Sequence, residues 1–79
     1  MNAATPKDLG ALIRSHRMKQ GLTQQDLATR IGVERKWIIG LESGKARAEL
    51  HLVMRAIDAL GLSLNLTGQS ETNALKPLE

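Results

Sequence analysis

The chain has 79 residues, a net charge of +3, no cysteine and a single aromatic side chain, Trp37. That length holds one small domain, and the lack of cysteine excludes disulfides and thiolate metal sites. No apolar run approaches the roughly 20 residues of a membrane helix, and the N-terminus lacks the basic-then-apolar order of a signal peptide, which together point to a soluble cytoplasmic protein.

The punctuation predicts four helices. In "TPKD", Thr5 is a helix N-cap, Pro6 suits the first helical position and Asp8 complements the positive end of the dipole. The helix runs to about Gln20, with Leu9, Leu12 and Ile13 on one face, and Gly21 stops it. "TQQD" at 23–26 is a variant capping box, with Asp26 where Glu or Gln is usual. It opens a second helix that turns Leu27, Ala28 and Ile31 inward and ends at Gly32. A third helix runs from about Glu34 to Ser43, with Gly44 as its stop. A fourth runs from about Ala48 to Leu60, before Gly61. Its apolar stripe of Leu50, Val53, Met54, Ile57 and Leu60 has the spacing of one buried face. Leu52, Ala56 and Ala59 then form an outer strip, either a protein interface or scattered surface residues.

After Gly61 the period changes. Leu62, Leu64 and Leu66 alternate with Ser63 and Asn65, as in a strand. A lone strand has no partner in its own helical chain, so residues 62–66 are expected to pair with their copy in a second chain. The alternative is a frayed extended segment. Residues 1–66 thus form the domain with its terminal strand, and 67–79 are polar and aperiodic, as in a mobile tail.

The charge is unevenly spread. Residues 14–47 hold eight Lys and Arg against three acids, a net +5, which suits a polyanionic partner. His16 and His51 are the only histidines. Without cysteine, a paired-histidine spacing or clustered carboxylates, neither a metal nor a cofactor is expected. No nucleophile–base set or phosphate-cradling glycine loop is visible, so an enzyme is not expected.

Two short helices joined by a tight turn containing Gly32 form the pattern of a helix-turn-helix. The stretch "GLTQQDLATRIGVERKWIIGLESGK" with the later "LGLSL" resembles the lambda-repressor-like, or XRE-type, DNA-binding family over residues 9–66. The ending "AELHLVMRAIDALGLSLNL" further resembles the HipB-type antitoxins, small repressors encoded with a kinase-like toxin. The implied fold is all-α, a four- to five-helix lambda-repressor-like domain with one short C-terminal strand available for pairing across a dimer. The resemblance also implies that Gln24 contacts a phosphate and buttresses the recognition helix. It implies an internal ion pair between Arg17 and Glu42.

On a wheel of 100° per residue, the third helix directs Ile38 and Leu41 toward the core, with Glu34 and Lys45 on that side. Lys36 lies nearly opposite, flanked by Ile39 and Gly40, with Arg35 beside them. This is the arrangement that a helix in a DNA major groove needs. Arg35 and Lys36 can each bridge guanine O6 and N7, and Ile39 can meet a thymine methyl. Gly40 allows close approach of the backbone; Ile39 and Gly40 equally fit a surface without demands. Thr23 and Gln24 present the N-terminus of the second helix to a phosphate, and Lys45 with Arg47 extend the backbone contacts. Glu34 departs from the small polar cap common in the family; it suits the helix dipole or accepts from cytosine N4. Trp37 falls at the core margin, with packing favoured over base stacking.

The expected function is that of a homodimeric DNA-binding repressor. The resemblance implies an antitoxin that binds its own palindromic operator in double-stranded DNA, and so localises to the nucleoid, while holding a HipA-like kinase toxin inactive. A stand-alone repressor, or an interaction module that has lost DNA binding, is the alternative.

Overall fold

The computed structural model describes residues 3–45 and 47–66. Among these, four helices follow in order: α1 (Pro6–Lys19), α2 (Gln24–Ile31), α3 (Arg35–Glu42) and α4 (Leu50–Ala59). Each boundary falls within about two residues of its sequence signal, the ordinary spread at helix ends. Thr5 Oγ1 accepts from the Asp8 N–H at 3.0 Å. The Thr23–Asp26 capping box is complete, with Thr23 N–H donating to Asp26 Oδ2 at 2.8 Å and Asp26 N–H donating to Thr23 Oγ1 at 3.0 Å. The four stop glycines all have positive φ.

The core gathers Ile13 from α1, Leu27, Ala28 and Ile31 from α2, Ile38 and Leu41 from α3, and Val53, Ala56 and Ile57 from α4, with Leu60 just beyond it. Helix α3 packs on both α1 and α2, and α4 packs on α2. Full burial of a side chain such as Leu27 contributes about 1.5–3 kcal/mol. The short helices α2 and α3 therefore depend on these tertiary contacts, since isolated helices of their length are marginal in water.

The inward face of α4 differs from the predicted stripe. Val53, Ile57 and Leu60 are buried as expected, but Leu50 and Met54 are exposed, and Ala56 is fully buried instead of outward. Apolar residues cover more than half of the circumference of this helix, with His51, Arg55 and Asp58 on the remaining side, so periodicity alone admits two overlapping faces. Met54 lies 100° from Val53 around the axis, and Leu50 is the first residue of the helix. Packing against α2 selects the face centred on Val53, Ala56 and Ile57.

Helices α1 and α3 touch backbone to backbone. A Cβ on Gly10 would lie 2.3 Å from the Leu41 carbonyl oxygen, so the contact tolerates no side chain there. One turn away, a Cβ on Gly44 would lie 2.7 Å from Lys7 Cα, at a φ of +88° that already disfavours other residues. At the opposite end of α1, Gln20 Nε2 donates to the Leu60 carbonyl at 2.7 Å and ties the helix to the end of α4.

Residues 62–66 contain no strand in the single chain. Leu62 is half-buried against the core, its N–H donating to the Ile57 carbonyl at 3.0 Å, while Ser63, Leu64, Asn65 and Leu66 are exposed. A ladder across a dimer needs a second copy, so the expected pairing stands as a proposal. The tail expected at 67–79 lies outside the described residues.

Candidate nucleic-acid interface

The turn between α2 and α3 fixes the site. Gly32, at φ +78°, donates to the Ala28 carbonyl at 2.9 Å, and the Val33 N–H reaches the same oxygen at 3.0 Å. Val33 then packs against the core, and Glu34 begins α3 in extended backbone. The Glu34 side chain makes no capping hydrogen bond and is exposed. Lys45 is exposed as well. The wheel had placed both on the inward side, but each lies beyond an end of the helix, where the 100° step no longer applies.

Three helices meet at one buried carboxylate. Arg17 Nε donates to Glu42 Oε2 at 2.6 Å and Nη2 to Oε1 at 3.0 Å, a bidentate pair, while Nη1 donates to the Leu22 carbonyl at 2.7 Å. Gln24 Nε2 donates to Glu42 Oε1 at 3.3 Å. Arg17 on α1 and Gln24 on α2 thus hold the last residue of α3. Arg17 and Glu42 are 7% and 9% exposed, so the pair is structural, as expected, and its charges are removed from DNA.

With Ile38, Leu41 and Glu42 turned inward, α3 presents Arg35, Lys36 and Ile39 to solvent. Ile39 is 43% exposed, unusual for a large apolar side chain, and its angular position lies between the two cations. The remaining predicted residues divide between the two flanks of this face. On one flank, Arg35 shares an open depression with Thr23 and Gln24, at the start of α2. On the other, Lys36 and Gly40 share a groove with Lys45 and Arg47, from the loop after α3.

Two residues of the first depression were missed from sequence, Arg14 and Gln25. Arg14 stands three residues before Arg17, on nearly the same side of α1, and that spacing was the available signal. Trp37 is half-buried and packs against the core, in keeping with its place at the margin. The Asp26 carboxyl is held below its ordinary value, first by the Thr23 backbone N–H, then by the Thr23 side chain, and less by the charge of Arg30. It therefore remains ionised and keeps the capping box closed.

The described residues hold no group of three or more His, Cys, Asp or Glu able to bind a metal, and no described helix is long and apolar enough to cross a membrane.

Comparison with known proteins follows this geometry. Residues 8–68 match the family model described as a helix-turn-helix domain. The chain is 39% identical over 67 residues to the HTH-type transcriptional regulator y4mF of Sinorhizobium fredii, covering 85% of this chain and 88% of that protein. It is 52% identical over 50 residues to an HTH-type transcriptional regulator of Methanothermobacter thermautotrophicus, covering 63% of this chain and 72% of that one. Among solved structures it is similar to HipB in the HipA–HipB–O2–O3 complex, with a TM-score of 0.81, 24% identity, and coverage of 89% of this chain and 99% of that one. HipB in the HipB–O4 20mer complex gives a TM-score of 0.80 at 24% identity, with the same two coverages. The likeness to HipB is one of fold.

Proposed function

The chain belongs to the lambda-repressor-like (XRE-type) helix-turn-helix family of DNA-binding transcriptional regulators, and on that premise we propose that it is a homodimeric repressor and the antitoxin of a toxin–antitoxin operon. The observation that carries this reading is the outward face of α3. Arg35, Lys36 and Ile39 are exposed together on a short helix whose last carboxylate is gripped from α1 and α2. A rigidly held helix places side chains against base edges at little entropic cost.

Thr23, Gln24, Lys45 and Arg47 supply contacts to the phosphate backbone on either side, while Arg35, Lys36 and Ile39 choose the sequence, with Gly40 admitting a close approach. Arg14 joins the backbone contacts. Two copies place their α3 helices in successive major grooves, roughly 34 Å apart, on a palindromic operator. The dimer is closed by residues 62–66, where Leu66 is 89% and Leu64 51% exposed, and by the neighbouring Met54 of α4. A short strand paired across two chains would satisfy the backbone groups that one chain leaves open.

In this reading the dimer acts in the cytoplasm, at the nucleoid, and holds a HipA-like kinase toxin inactive; the common fold with HipB supports the antitoxin role. The relatives are named transcriptional regulators, which supports the stand-alone repressor as the second reading.

The test is binding to the DNA upstream of the chain's own reading frame across a range of salt. The Arg35→Glu/Lys36→Glu variant is expected to lose at least about tenfold in affinity and to flatten the salt slope by about two. Wild-type affinity and slope in that variant would remove α3 from the interface. Co-expression with the product of the adjacent reading frame separates the two repressor readings: a kinase-like protein that co-purifies and loses activity marks the antitoxin, and its absence marks the stand-alone regulator.

A further inference from the structure

The second flank of α3 is more than a row of cations. Behind Lys36 lies a groove of about 400 Å³, within the range of small-molecule sites. Its floor is apolar, made by Val33, Trp37, Leu41 and Ala48, and Trp37 is the one aromatic ring of the chain. Its rim carries Lys36, Lys45 and Arg47 against the single acid Glu34, and all four are exposed. An apolar floor, an indole and a rim of net positive charge together match one chemistry, a small carboxylate bearing an aromatic or apolar body. We propose that this groove is a binding site for such an aromatic carboxylate, and that its occupant competes with DNA for Lys36, Lys45 and Arg47.

Gly40 supports the assignment. A Cβ there would meet only the Lys45 stem, with Cδ at 3.4 Å and Cγ at 3.7 Å, so internal packing does not demand the glycine. Glycine costs a helix about 1 kcal/mol relative to alanine. What its missing side chain does provide is room for the Lys45 stem to lie along the wall of the groove, keeping that cation at the rim. An occupant at this wall is in reach of the cations that the proposed DNA contact uses, which couples the two ligands.

Trp37 is the only tryptophan, so its emission reports directly on the groove. Phenylbutyrate, with phenylbutanol as its uncharged counterpart and acetate as its ring-free one, should be titrated against the full chain. Phenylbutyrate is expected to change the emission saturably, phenylbutanol to bind at least about fivefold more weakly, and acetate to leave the signal unchanged. Lys45→Ala/Arg47→Ala should weaken phenylbutyrate by a similar factor without altering phenylbutanol. Gly40→Leu should block both ligands while retaining the helical circular dichroism. A linear, unsaturable response, equal affinity for acid and alcohol, or unaltered binding in Gly40→Leu would each overturn the site.

Competition rests on the repressor reading and is scored separately. Phenylbutyrate at saturation should displace the upstream DNA, and independent binding of the two would refute the effector role. A chain that takes phenylbutyrate yet binds no DNA would defeat the repressor reading and leave the groove standing.

Discussion

The junction of α1 with α3 and the segment after α4 solve the same problem, holding short elements in place, in opposite ways. At the first, backbone touches backbone at Gly10, and a bidentate Arg17–Glu42 pair is completed by Leu22 and Gln24. Its polar groups are satisfied within one chain. In the second, Leu62 is tucked against the core while Leu64 and Leu66 are left to solvent. One region is finished by folding; the other leaves apolar side chains exposed, which the proposed dimer would cover. In the proposed dimer, the completed contacts lie beneath the outward face of α3 and the association surface lies after α4, so pairing would leave that face undisturbed.

The sharpest way to break this contrast is at the ion pair. Arg17→Ala leaves Glu42 buried without its partner and is expected to destabilise the fold by about 3–5 kcal/mol in urea unfolding. A loss below about 1 kcal/mol would mean that the junction is not the rigid side. Gly10→Val comes next. Its side chain must displace the Leu41 carbonyl, so about 1–3 kcal/mol should be lost, with DNA affinity falling further as α3 shifts. The Leu64→Asp/Leu66→Asp double variant should leave single-chain stability within about 0.5 kcal/mol, because both side chains are already exposed. Sedimentation should nevertheless show a monomer. A dimer that survives would move the interface to the exposed Leu50 and Met54 of α4.

The smallest effect concerns the capping box. Because the folded Asp26 carboxyl titrates below its ordinary value, its contribution is fully present above that value, about pH 4, and is lost as pH falls through the folded one. Thermal unfolding of Asp26→Ala should therefore show a modest deficit at neutral pH that narrows as the pH is lowered below about 4. A deficit that grows on acidification would contradict the hydrogen-bonded carboxylate.

Much of this was legible before any coordinates. Thr5, Thr23 and the four stop glycines mark helix ends by backbone conformation and local hydrogen bonds, which involve residues only a few positions apart. The outward placement of Arg35, Lys36 and Ile39 followed from the 3.6-residue period once Ile38 and Leu41 were assigned inward. The ion pair was available through resemblance to a family, since no local pattern links residues 25 apart. Gly10 gave no signal at all: inside a helix it reads as a weak position, and its reason lies in a neighbour more than thirty residues away.

The sequence by itself determined where each helix starts and stops and which side of α3 points outward, because these depend on short-range geometry and on a clear apolar period. The tertiary structure decided the rest. It selected the buried face of α4 from a broad apolar arc, found the backbone contact that only Gly10 admits, and gathered Arg14, Gln24 and Arg35 from three helices, with the cap Thr23, around one depression. Those outcomes depend on which surfaces meet in space, and an alternation along the chain carries no record of the partner across the interface.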